Sequence, residues 1–231
     1  MALNTTTNHH IVDSTPITLE VSEILAQARV NPGSKAQYQL ERLIEAAQAI
    51  ARPKALYKTA YIESRSDNTV TINHVTFKSR ILRVNLDKVE RVFVYLATCG
   101  KELDQWSAQF DDLLIKYWAD LIKQAALHSI RQNLQTHIET SYRPGRISAM
   151  SPGSLEEWPL DQQKPLFHLL DGVNQSIDVQ LTDTCLMIPT KSVSGVFFST
   201  EESFESCQLC TRSKCPGRRS AYKPALWDKY E

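Results

Sequence analysis

At 231 residues, with 42% hydrophobic and 23% charged residues, the chain has ordinary globular composition and enough length for one core plus an extension, so disorder is not the default. Lysine plus arginine equals aspartate plus glutamate at 26 each, and no global field draws the chain to nucleic acid or an anionic membrane. Met1 to Ser14 holds no apolar run of the signal-sequence kind, and no stretch of about 18 apolar residues occurs; a cytoplasmic protein that does not enter a membrane is expected.

Residues 1–15, with Thr5, Thr6 and Thr7 and no periodic apolar positions, read as a flexible tail. From Thr18, the residues Leu19, Val21, Ile24, Leu25 and Ala28 keep helical spacing up to the breaker Asn31-Pro32-Gly33. Ser34 then caps a second helix, whose stripe of Tyr38, Leu40, Leu43, Ile44, Ala47 and Ile50 stops before Pro53. Between Ala55 and Val94 the pattern turns extended: Leu56 to Ile62, Thr69 to Ile72, Val75 to Phe77 and Val92 to Leu96 are β-branched and aromatic, with Asp67-Asn68 as a turn. After Cys99-Gly100 the chain is helical from Glu102 to about Thr140, with a break near Gln109 to Asp111 and a long stripe of Leu114, Trp118, Leu121, Ile122, Ala125, Ile130, Leu134 and Ile138.

Tyr142-Arg143-Pro144-Gly145-Arg146 ends that helix and opens an irregular segment reaching Trp158-Pro159. A short helix capped by Asp161 runs to Leu170, and Ile177 to Leu181, Cys185 to Ile188 and Val193 to Phe198 read as strands. Residues 16–200 are expected to form one domain, and residues 201–231 a cysteine-rich, loop-rich extension without its own core.

Three of the five cysteines, Cys207, Cys210 and Cys215, fall within nine residues of that extension. A Cys-x2-Cys-x4-Cys spacing followed by Pro216 can place three thiolates on zinc or an iron–sulfur cluster, with Cys185, Cys99 or an outside group as fourth ligand. Arg212, Lys214, Arg218 and Arg219 surround the segment with positive charge, which lowers thiol pKa values or docks an acidic partner. Cys99 and Cys185 lie in apolar strand contexts, where a small buried hydrophobe is the simpler role. Histidines add no site: His128 and His137 are two and a half turns apart on one helix and face opposite sides.

The run Met150-Ser151-Pro152-Gly153-Ser154-Leu155-Glu156-Glu157-Trp158-Pro159-Leu160 is followed by Gln163-Lys164-Pro165-Leu166-Phe167. Then come Leu181-Thr182-Asp183-Thr184-Cys185-Leu186-Met187-Ile188-Pro189 and Lys191-Ser192-Val193-Ser194-Gly195. In this order the four motifs resemble the activation domain of cobalamin-dependent methionine synthase, and in particular short relatives found beside corrinoid methyltransferase systems. The resemblance implies an α+β fold with a twisted, mainly antiparallel sheet and packed helices. It implies S-adenosylmethionine as ligand and a corrinoid protein or cobalamin-dependent methyltransferase as partner, whose cobalt is returned to its methyl form.

On that reading Met150, Pro152 and Gly153 form a ligand loop whose exposed amides hold a carboxylate or sugar, Ser192, Ser194 and Gly195 line the cleft, and Arg146 is the cation for an anionic group. Two positions depart from the family pattern: Ala149 stands where an arginine precedes the loop glycine by four residues, and Ser154 stands where an aromatic follows it. A non-catalytic docking protein with structural zinc is the alternative. A nucleoside triphosphatase is excluded by the missing phosphate-loop glycines, and a self-contained methyltransferase is the weakest reading, with no glycine-rich nucleotide loop and no obvious base.

Overall fold

The computed structural model describes residues 9–13, 17–215 and 218–230. Strand β5 (Arg91–Thr98) is its centre, because alternation sends Val92, Val94 and Leu96 into one buried cluster and Phe93, Tyr95 and Ala97 into another. A strand buried on both faces reads as a continuous apolar run, and each such aliphatic or aromatic side chain contributes about 1.5–3 kcal/mol by leaving water.

Around it, β1 (His10–Asp13), β2 (Lys54–Ser66), β3 (Thr69–Ile72), β4 (Val75–Lys78), β6 (Ile147–Met150) and β9 (Ser192–Ser199) complete a seven-stranded sheet in the order β4-β3-β2-β5-β9-β6. Every pairing in it is antiparallel. The free edge of the long β2 is shared: β1 pairs with its first residues, Lys54 to Tyr57, and β3 with its last, Ile62 to Ser66. β6 is the opposite edge. The strands β7 (Gln180–Leu181) and β8 (Met187–Ile188) form a separate small hairpin.

One face is covered by α1 (Val21–Ala28), α2 (Lys35–Ile50), α4 (Lys101–Ala108) and α5 (Leu113–Tyr142), which share a core with Phe93, Tyr95 and Phe197. The other carries α3 (Arg80–Asn85), α6 (Gln163–Leu170) and α7 (Val173–Ile177), with Trp158 fully buried edge-on to Phe77. The caps are local and explicit. Ser34 Oγ accepts from the Gln37 amide, and Asp112 accepts from the amides of Leu114 and Ile115, restarting the helix after the break at 109–112. No helix among the described residues is long and apolar enough to cross a membrane.

The α+β class and the mainly antiparallel sheet agree with the sequence reading, and four local features differ. His10–Asp13, expected within the flexible tail, is a strand, because β2 outruns β3 and leaves donors and acceptors that β1 satisfies while His10 stacks on Tyr57. Residues 1–8, 14 and 15 lie outside the described residues. The helices α3 and α7 add to the expected elements, α7 ending at Ile177 where a strand is expected to begin; six and five residues are too short to show a helical period. Asp161 sits inside a 3-10 turn at Leu160–Gln162 instead of capping α6. Finally, the C-terminal segment does reach the core: Phe204, Leu209 and Tyr230 are buried in the α6 cluster, and Tyr230 Oη donates to Asn85 Oδ1 at 3.0 Å.

Candidate functional site

β6 and β9 run antiparallel with Met150 opposite Val196, so the chain leaving β6 passes beside Gly195. A Cβ on Gly195 would lie 2.2 Å from the Met150 carbonyl oxygen and 2.8 Å from Ser151 Oγ; the missing side chain is what lets the edge strand close in. Pro152 and Gly153 then turn, with Gly153 at φ +80 and a would-be Cβ 2.8 Å from Leu160 Cδ1. The Gly153 amide donates to Trp158 O at 2.7 Å and the Ser154 amide to Ser151 O at 3.2 Å. Both of these amides are therefore paired within the loop.

Met150, Pro152, Gly153, Ser194 and Gly195 are thus brought together at one end of β6. Ser194 Oγ is buried there without a hydrogen-bond partner among the described residues. Ser192 is two residues further along β9, where its hydroxyl donates to Thr98 Oγ1 at 2.9 Å and Pro189 O at 2.7 Å. Arg146 is at the other end of β6: it is exposed, donates to Glu201 O at 3.3 Å, and lines an open cleft of about 1110 Å³ with Arg83, Lys88, Arg91 and Glu202. At roughly 3.3 Å per residue, the length of the strand separates Arg146 from the loop.

The second face of the same edge carries a group that sequence reasoning passed over. Tyr95 and Phe197 stack with centroids 4.2 Å apart, and the Arg131 guanidinium of α5 lies over both, 6.0 Å and 5.5 Å from their centroids. Its Nε–H donates to Tyr95 Oη at 3.4 Å, and among the described residues no carboxylate is within ion-pair distance of it. Burial pulls the Arg131 pKa down, but Tyr95 and the more distant Glu205 outweigh it and hold the group above its usual value. Ala149 pairs with Phe197 and packs on this face. The signal was present in α5: Arg131 is four residues after Leu127 and three before Leu134, on the flank of the buried stripe.

The cysteine segment abuts the loop, since Ser154 Oγ donates to Ser206 Oγ at 3.3 Å. All five cysteines are free, and among the described residues no group of three or more His, Cys, Asp or Glu could hold a metal ion. Arg218 donates to the carbonyls of Cys207 at 3.0 Å, Cys210 at 2.9 Å, Arg212 at 2.6 Å and Ser220 at 3.0 Å, folding the segment around a guanidinium. Cys207 Sγ accepts from the Arg219 amide at 3.5 Å, and Cys185 is buried in the turn between β7 and β8. Burial pushes the Cys99 thiol up to about 12.

The family described as vitamin B12 dependent methionine synthase, activation domain, matches residues 87–211, from the approach to β5 through the loop and into the cysteine segment. The chain belongs to this family. A solved structure, the crystal structure of the MetH reactivation domain bound to AdoHcy, shares its fold: TM-score 0.62 at 14% identity, over 85% of this chain and 80% of that chain. A comparison with curated proteins gives no match. In this activation domain the matched span contains the end of β6, Gly195, Tyr95 and Arg131, so the family's shared region and the polar edge described above coincide.

Proposed function

We propose that this activation domain docks on a corrinoid-carrying partner and supports reductive methylation of the partner's cobalt by S-adenosylmethionine. Family membership over residues 87–211 is the observation that carries the reading, and the S-adenosylhomocysteine in the fold relative supports a ligand of that class. In the reaction an outside low-potential donor gives one electron to the oxidised cobalt; the sulfonium carbon–sulfur bond then breaks with its pair staying on sulfur, and the methyl cation equivalent bonds to cobalt.

The residues at the end of β6 fit a ligand with a charged end and hydroxyl-bearing sugar. Ser151 and Ser154 border the turn, and Ser194 Oγ is a buried hydroxyl without a hydrogen-bond partner among the described residues. These groups bind and orient; nothing in the arrangement is a proton donor or nucleophile required by methyl transfer to cobalt.

One observation favours a second reading, a docking protein that has lost ligand binding: the loop amides are both internally paired. Calorimetric titration with S-adenosylmethionine and S-adenosylhomocysteine separates the two. Saturable heat with either supports the first reading, and absence of heat at millimolar ligand leaves only the second.

A further inference from the structure

Cys207 and Cys210 stand three residues apart on one tight turn. Three successive backbone hydrogen bonds run through it: the amides of Gln208, Leu209 and Cys210 donate to the carbonyls of Glu205, Ser206 and Cys207 at 2.8, 3.1 and 3.4 Å. In a turn of this kind the side chains at i and i+3 stand over one another, and a rise of about 2.0 Å per residue sets their α carbons about 6 Å apart. A disulfide accepts α-carbon separations of about 4.4–6.8 Å, so this pair can be bridged without unwinding the turn. Several contacts hold the turn in place. Gln208 Oε1 accepts from the Glu205 amide at 3.2 Å, and Gln208 O accepts from the Lys223 amide at 2.7 Å. Leu209 is buried in the α6 cluster, and Arg218 donates to the carbonyls of both cysteines. The two thiols are both partly exposed but differ in surroundings: Cys210 packs against the core cluster, whereas Cys207 Sγ accepts from the Arg219 amide at 3.5 Å. Cys215 follows five residues after Cys210, outside the turn.

We propose that Cys207 and Cys210 form a thiol–disulfide exchange site whose substrate is a low-molecular-weight disulfide of the glutathione class. Cys207, the thiol outside the core cluster, attacks as thiolate one sulfur of the substrate; the substrate S–S bond breaks and its electron pair leaves on the first thiolate. Cys210, as thiolate, then attacks Cys207 Sγ and releases the second. The protein keeps an intramolecular disulfide, the two protons lost by its thiols end on the two released thiols, and the two electrons it gives up reduce the substrate.

The test equilibrates the intact, reduced, chelator-treated protein with graded ratios of oxidised to reduced glutathione under anaerobic conditions, followed by acid quench, alkylation and peptide mapping by mass spectrometry. Wild type should pass directly to a Cys207–Cys210 disulfide, with glutathione on Cys207 staying below about a tenth of the protein. Cys210→Ser should trap glutathione on Cys207 and raise that species about tenfold, while Cys215→Ser should titrate as wild type does. The turn holds the thiols in register, so the bridge should form about tenfold more favourably in the native protein than in denaturant, where sequence spacing alone keeps them near. Thiols that stay reduced at every ratio, mixed disulfides that accumulate on all three cysteines, a bridge that uses Cys215, or equal pairing in native and denatured protein each overturn the inference. The native and denatured titrations need no variant, and they decide the matter if circular dichroism shows Cys210→Ser to be unfolded.

Discussion

Gly195→Ala probes the tightest approach at the site. The new Cβ meets the Met150 carbonyl oxygen at 2.2 Å and Ser151 Oγ at 2.8 Å. Ser151 can rotate away, whereas the carbonyl belongs to β6, whose register is pinned by four pairs to β9. The edge strand must therefore shift outward. Overpacking of this kind costs about 1–3 kcal/mol, and loss of a ladder hydrogen bond about 1 kcal/mol more. For a chain of this length each kcal/mol moves the midpoint by about 2–4 °C, so thermal unfolding followed by circular dichroism should fall by roughly 5–15 °C. Ser194→Ala is the control, since its hydroxyl has no hydrogen-bond partner among the described residues and its melt should stay near wild type. A Gly195→Ala midpoint within about 2 °C of wild type would refute the claim that this glycine exists to admit the Met150 carbonyl.

Three more outcomes follow from the packing and charge described. Trp158→Ala should cost about 3–5 kcal/mol in denaturant unfolding, because the fully buried indole touches Phe77 edge-on and its Nε1 makes no hydrogen bond to replace; a cost below 1 kcal/mol would contradict its core role. Alkylation of the reduced native protein at about pH 8 should label Cys207, Cys210 and Cys215 and spare Cys99, whose thiol burial pushes to about 12; peptide mapping that finds Cys99 labelled without denaturant contradicts this. Hydrogen bonds from Lys101 and Lys54 lower the Asp178 pKa below the ordinary aspartate value of 3.8. Its contribution to stability is therefore present above that value and is lost as pH falls through the depressed one. The gap in melting temperature between wild type and Asp178→Asn should accordingly be open at neutral pH and close below roughly pH 4, and a gap that widens in acid reverses the sign of the account.

Much of the fold was legible because its signals are local. Ser34 and Asp112 are capping residues at the starts of α2 and α5, Pro53 stops the chain after α2, and the β-branched and aromatic runs fall on β2 to β5. What escaped depends on partners distant in sequence. β1 exists because β2 is longer than β3, and the C-terminal segment holds its place because Phe204, Leu209 and Tyr230 find the α6 cluster. The same division applies to the site. The Pro152-Gly153 turn is legible in its residues, whereas the separation of Arg146 from the loop depends on an extended strand between them, which puts the two at opposite ends of β6. Cysteine spacing does not reveal that Arg218, eleven residues after Cys207, returns to bond the segment's carbonyls. Arg131 was hidden in plain helical periodicity, where only its flank position beside Leu127 and Leu134 hinted at a buried head.

Methyl transfer to a partner's corrinoid is the most direct measure of what this domain does. A corrinoid protein with its cobalt oxidised is mixed with S-adenosylmethionine labelled in the methyl group and a low-potential reductant, with and without the domain, and label on the corrinoid is followed alongside its visible spectrum. The account predicts that label reaches cobalt faster when the domain is present, in proportion to its amount. Equal rates with and without it, for partners on which it measurably docks, would contradict the assignment.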